Sequence, residues 1–232
     1  MKNSLALSAS SLVLFATLNL AAFAQNQSVF SPDLKFVRAA HAPTHITPAP
    51  KEDATLITIA GNFSRYPDAT YFSVFGNTIA QGGVNFPFQV WEAMPFTPTA
   101  NANVTKLQVS AGRQGSGTAG FELSLYNDAN GLPGTPIATA HVSNLPIYGE
   151  CCAVAEVDDP TGVPVAAGTQ YWVVVSTTSE DPDIYAWAFN SSNMTATLAA
   201  EWCQGTSTYC GANSGKWTAY QYVQLGFNVL GH

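Results

Sequence analysis

Charge is what this sequence has least of. Only 10% of its 232 residues are Asp, Glu, Lys or Arg, and the 8 basic ones are outnumbered by 15 acidic ones, for a formal net charge of -7. Without a basic surface the attraction that drives polyanion binding is missing, which argues against nucleic acid as a partner. Helical periodicity is scarce as well. Outside the first 24 residues no apolar period of 3.6 persists for about twelve residues, so helices should be few. The motifs that mark common chemistries are also missing: no Gly-x-Ser-x-Gly, no His-Glu-x-x-His, no P-loop and no dinucleotide glycine turn. Histidine is rare, and of the four, His41 and His45 lie in a Pro-rich stretch and His232 is the last residue. Only His141 falls inside a candidate strand, where a structural role is expected.

What is present is strand patterning. Phe121, Leu123 and Leu125 alternate with Glu122, Ser124 and Tyr126, and the run ends in the turn cluster Asn127 to Gly134. Asn130-Gly131 takes positive φ at little cost, and Pro133-Gly134 breaks the run. A second strand is dense with β-branched and aromatic residues, Tyr171 to Val175 behind Gly168. Shorter runs at Leu56 to Ala60, Thr70 to Phe75, Phe86 to Met94, Val104 to Ser110, Pro136 to Val142, Tyr185 to Phe189, Thr195 to Glu201 and Trp217 to Leu230 are separated by turn residues. Asp158 to Gly162 reads as a loop. In the last run Val223, Leu225, Phe227 and Val229 take one face, and Tyr220, Tyr222 and Gln224 the other. The fold class these signals predict is an all-β, antiparallel, jelly-roll-like sandwich with few helices.

The domain plan has three parts. Residues 1–24 have a Lys2 n-region, an apolar run from Leu12 and an Ala22-Phe23-Ala24 cleavage pattern, the marks of a secretory leader. Residues 25–54 are rich in Pro, Ala and Thr and read as an arm or linker. Residues 55–232 form the sandwich domain, with no stable membrane insertion expected once the leader is removed. Four cysteines in an exported chain imply two disulfides. Cys203 with Cys210 encloses a short loop and leaves Cys151 beside Cys152; crossed bridges between the two pairs are the alternative.

Met94-Pro95-Phe96-Thr97-Pro98, the strand and turn from Phe121 to Gly134, Ala167-Gly168-Thr169-Gln170-Tyr171-Trp172, Trp187 and the closing Phe227 to Gly231 together resemble the choice-of-anchor R domain of secreted bacterial proteins. The resemblance spans roughly residues 70–231 and implies an exported or surface β-sandwich, with no catalytic residues to carry over. Relatives of that kind often end in an anchoring tail. Here Leu230-Gly231-His232 closes the strand with neither a hydrophobic helix nor a basic end, so release or retention through a partner is expected instead. The cysteines are not part of that pattern.

The best candidate ligand site is the stretch Glu201 to Trp217. Held by a disulfide, Trp202, Tyr209 and Trp217 would offer flat faces to sugar rings, with Gln204, Asn213 and Lys216 as polar partners and Tyr220 and Tyr222 extending the surface. The competing reading makes both tryptophans caps of the core. Asp128 and Asn130, with Asn127, have oxygens suited to a structural calcium, but the same residues are what a hairpin turn requires, and the turn is the preferred reading. Asp158, Asp159, Asp181 and Asp183 are read in the same way, as acidic loops. No other cofactor is expected. Glu92, Glu122, Glu150, Glu156 and Glu201 are the carboxylates from which a glycosidase pair would have to come. The functional expectation is an exported, non-catalytic protein that binds a polysaccharide or a surface or matrix protein, with a self-assembling structural protein and a glycoside hydrolase as alternatives.

Overall fold

The computed structural model describes residues 56–63, 72–81, 88–114, 119–143, 145, 154–177, 184–189, 197–205, 209–222 and 224–232. The expected leader and arm, His41, His45, Glu150, Cys151, Cys152, Asp181 and Asp183 lie outside the described residues.

Two antiparallel sheets make an all-β sandwich. The smaller runs in the order β1 (Ile57–Gly61), β13 (Phe227–Gly231), β4 (Ala102–Val109), β8 (Ala155–Val165). The larger runs β5 (Ala111–Arg113), β10 (Ile184–Phe189), β2 (Phe72–Ala80), β3 (Phe88–Phe96), β9 (Tyr171–Ser176), β6 (Phe121–Asp128), β7 (Pro133–Val142). A hairpin of β11 (Thr197–Gly205) and β12 (Lys216–Tyr222) joins it along β3. Among the described residues the only helical element is one 3-10 turn, Gly211–Asn213.

Alternation places the core. From the larger sheet Met94 and Phe96, Phe121, Leu123 and Leu125, Val173 and Val175, and Tyr185 and Trp187 point inward; Val104, Leu107, Val109, Phe227 and Val229 meet them from the smaller sheet. All are at least nine-tenths buried, and removing that apolar surface from water is the main stabilising term. The indole of Trp187 satisfies its one donor on the backbone oxygen of Gly226 at 2.8 Å, so the ring spans the sandwich without stranding a polar group.

The hairpin between β6 and β7 forms as its residues predict. Asn130 (φ 58°) and Gly131 (φ 82°) both adopt the left-handed region, and Ala129 N–H reaches Leu132 O at 2.8 Å. β7 nevertheless starts at Pro133 rather than Pro136, because Asp128 already pairs with Pro133 across the turn. β3 likewise runs past Met94 to Phe96. Pro95 is tolerated inside it because β11 stops pairing at Ala93, leaving that edge free of the ladder.

Three sequence expectations need correction. The run from Val104 to Ser110 does not alternate evenly: the register slips between Val104 and Lys106, so Val104 points inward with Leu107 and Val109 while Thr105 does not. Residues 158–162 are no free loop but an outward bulge within β8, where Lys106 faces Asp158 and Val104 faces Val163. The run from Trp217 to Leu230 is two strands in different sheets, so β12 and β13 cannot share one continuous pair of faces.

A polar clasp ties β1 to β13. Asn62, 4% exposed, donates from Nδ2 to Leu225 O at 2.8 Å and accepts from Phe227 N–H at 3.0 Å, while Asn228 Oδ1 accepts from Phe63 N–H at 3.0 Å. Removing the Asn62 amide strands two buried backbone groups. Asn62→Ala should therefore lower the unfolding free energy by about 3 kcal/mol in urea titrations, and a loss below about 1 kcal/mol would show that the clasp is dispensable.

Candidate functional site

The residues singled out between Glu201 and Trp217 belong to the β11–β12 hairpin rather than to a loop. Trp202, Cys203 and Gln204 lie in β11, Lys216 and Trp217 in β12, and Cys203 and Cys210 are joined by a disulfide across the connection. Cys203 pairs with Lys216 and Glu201 with Thr218, so strand hydrogen bonds continue to the cysteine. The Ser, Thr and Gly content of the connection hid the strand ends.

Register then sorts the candidates onto opposite faces. On the outer face Trp91 of β3 is opposite Trp202 of β11, which is opposite Trp217 of β12, so three neighbouring strands carry one row of three indoles. Trp91 and Trp202 stack with ring centres 4.1 Å apart at 16°, while Trp217 is tilted 51° from Trp91 at 6.4 Å. All three are half-buried. Two residues along, Gln89 pairs with Gln204. Gln89 Nε2 donates to Gln81 Oε1, which also accepts from Thr177 Oγ1 at 3.0 Å, and Thr177 Oγ1 accepts the Trp91 indole N–H at 3.3 Å. On the other side the row Ala93, Ala200, Ala219 is small, and buried Trp172 and Val174 pack against it.

Tyr209 and Tyr220 are elsewhere, contrary to the expectation that they extend the tryptophan surface. Tyr220 is three residues from Trp217, an odd spacing that sends it to the inner face opposite Ala199. Tyr209 folds back beneath the hairpin to stack on Phe88 at 4.5 Å. Asn213 and Lys216 are exposed at the hairpin end, and the side chain of Tyr222 lies outside the described residues, its backbone pairing with Thr197. The sequence did not single out Trp91: it sits in a strand that reads as core, and only its non-local pairing with β11 reveals its neighbours.

The inner face of the same strands holds two carboxyls. Glu92, 1% exposed, is directly opposite Glu201. Tyr220 Oη donates to Glu92 Oε2 and accepts from Asn77 Nδ2, and Tyr209 Oη donates to Glu201 Oε2 at 2.7 Å. Burial, then the neighbouring Glu201 charge, push the Glu92 carboxyl well above the usual range, against the pull of its tyrosine and asparagine partners. Burial raises Glu201 too, and its tyrosine hydrogen bond opposes this. Two such groups on paired strands cannot both ionise cheaply, so the pair keeps a proton to higher pH than a free carboxyl.

The other expected acids and bases are engaged separately. Glu122 Oε1 lies 3.0 Å from His141 Nδ1, Glu156 pairs with Lys106 and Gln108, and Asp159 accepts from Thr161. Desolvation raises the Asp128 carboxyl, but N–H donors from Gly131, Trp172 and Gln170 outweigh it and hold the group below its usual value. Those donors take up its oxygens: Trp172 Nε1 and Gln170 Nε2 both reach Oδ1, at 2.9 and 2.7 Å, and Gly131 N–H reaches Oδ2. Asn130 serves as the positive-φ turn residue. Among the described residues no group of three His, Cys, Asp or Glu side chains is placed to hold a metal, and no helix is long and apolar enough to cross a membrane. Comparison with protein-family models, with curated proteins and with solved structures finds no match to this chain.

The carboxyl pair sets a pH dependence. A carboxyl whose folded pKa lies above its unfolded value of about 4.3 contributes fully below that pH, and the contribution is lost as pH rises through the folded pKa. Asp128 and Asp159, held low, work the other way: what they add is present above about pH 3.9 and lost on acidification. The melting temperature should thus peak just above about pH 4 and decline toward neutrality. Glu92→Gln, which keeps an acceptor for Tyr220 but cannot ionise, should flatten that decline; an unchanged slope in the variant would remove Glu92 as its source.

Proposed function

We propose that the chain is an exported, non-catalytic β-sandwich protein of the cell surface or matrix whose outer tryptophan face binds a polysaccharide. The observation that carries this reading is the in-register row Trp91, Trp202, Trp217 flanked by Gln89 and Gln204. Three strands at the usual spacing extend the row over roughly 10 Å, a rigid apolar strip beside amide groups. Indoles fixed in a sheet lose little entropy on binding, and amides bond neutral hydroxyls without charge. Trp217 is the primary contact, on the edge strand β12 and tilted rather than stacked; one face of Trp202 is already taken by Trp91. Among the described residues the row itself carries no basic side chain, which favours a neutral glycan over an acidic one. Export is supported by the leader pattern and by the Cys203–Cys210 disulfide, and a choice-of-anchor R relationship by the residues that resemble it.

Glu92 and Glu201 favour a second reading, a glycoside hydrolase, because one raised carboxyl beside another is what acid-base cleavage uses. Their inward direction and their tyrosine partners weigh toward a structural role.

Titration of the protein with soluble neutral glucans, xylans and mannans should quench or shift tryptophan emission. Trp217→Ala should weaken binding at least about tenfold, with the far-ultraviolet spectrum unchanged. Equal affinity in the variant, or no response of the wild type to any glycan of the panel, would sink the binding reading. Reducing-sugar release that disappears in Glu201→Gln would establish the hydrolase instead.

A further inference from the structure

Away from the tryptophan face, a cavity of about 250 Å³ opens into the sandwich between β4, β6, β7 and β8. Its origin is a size deficit. The core positions of β7 opposite Leu125 and Leu123 are Ala138 and Ala140, while the same row of the neighbouring strands carries Leu and Val. β7 and β8 edge different sheets, so no ladder closes the gap between them. The lining is mostly apolar, with Leu107, Val157 and Val163 facing Leu123 and Leu125.

The charges at the rim are already used. Lys106 Nζ is 3.1 Å from Asp158 Oδ1 and 3.6 Å from Glu156 Oε1, and Asp159 Oδ1 accepts from both the N–H and the hydroxyl of Thr161. An anion would meet two acids there, and a cation would have to break the lysine pairs. The lining itself rewards an apolar body. An apolar cavity of about 150 Å³ holds benzene, so this one has room for a single ring plus a substituent.

We infer that this cavity is a binding site for a small, uncharged, apolar molecule, a single ring or a short acyl chain. It is separate from the glycan surface in strand and in chemistry, and stands or falls independently of it.

Four probes of one size separate the possibilities: benzyl alcohol, toluene, benzoate and benzylammonium, titrated at concentrations on the order of 10 mM into the labelled protein and followed by amide chemical shifts. Toluene should shift the amides of residues 104–107, 123–125, 138–140 and 157, with benzyl alcohol weaker and both ions at least about tenfold weaker. Ala140→Phe should fill the space and abolish the binding of both neutral probes, with Ala138→Phe as the second filler should the first not fold. No shift at these amides, binding that survives in the folded filler, or binding of either ion as tight as that of toluene would overturn the assignment.

Discussion

Strand β3 is paired along both edges at Glu92, to Val175 of β9 on one side and to Glu201 of β11 on the other, and this leaves its side chains only two directions. Phe88, Val90, Glu92, Met94 and Phe96 go inward; Gln89, Trp91, Ala93 and Pro95 go outward. Much of the rest follows from that strand. Its inward residues bring a carboxyl into the row that continues through Val175 and Leu123, positions otherwise reserved for the core. Its outward residues begin the row of indoles. A one-residue slip of β11 against β3 would turn β11's own residues over, placing Trp202 beside the core and Glu201 outside. The disulfide between Cys203 and Cys210 and the tyrosine hydrogen bonds to Glu92 and Glu201 act in the same hairpin and favour the same register.

The outer face is held by a second anchor farther along the sheet. Asp128 ends β6, and its Oδ1 collects the indole N–H of Trp172 and the amide of Gln170, both from the segment that leads into and forms β9. The turn Asn127 to Gly134 and the stretch Ala167 to Trp172 are the two most distinctive segments of the sequence. They are far apart in sequence but meet at one carboxylate. A physical reason for their occurring together is therefore visible: the aspartate fixes the hairpin, and the tryptophan it orients covers Ala93 and Val174.

Local signals in the chain were legible, and pairings between distant segments were not. Alternation from Phe121 to Leu125 and positive φ at Asn130 and Gly131 depend on neighbours a few residues away, and both are as the sequence predicts. The facing of Tyr220 against Trp217 is also a matter of parity within one strand, but it acquires meaning only when β11 and β12 pair as a hairpin. Trp91 is different, because nothing near it in sequence indicates β11. The slip at Thr105 and the bulge at residues 159–162 belong to the β4–β8 pairing and have no signature in either strand alone. The Asn62 clasp is similarly invisible, since its partners lie more than 160 residues away.

Across the ribbon β12-β11-β3-β9-β6-β7 the interior departs from simple apolar packing at both flanks, in opposite ways. Near β12 the sheet is extended by a cross-linked hairpin, and the buried face there is polar: a neutralised carboxyl is tolerable because Tyr220 hydrogen-bonds to it and because its own proton removes the cost of a buried charge. Among the described residues no further strand follows β7, the inward residues shrink to alanine, and the interior is apolar but underfilled. A sandwich edge without a covering strand ordinarily fills its gap with bulk, since each missing methylene costs about 1 kcal/mol. Two successive core positions of one strand reduced to Ala run against that tendency, and the stability forgone there is intelligible as space kept for something else.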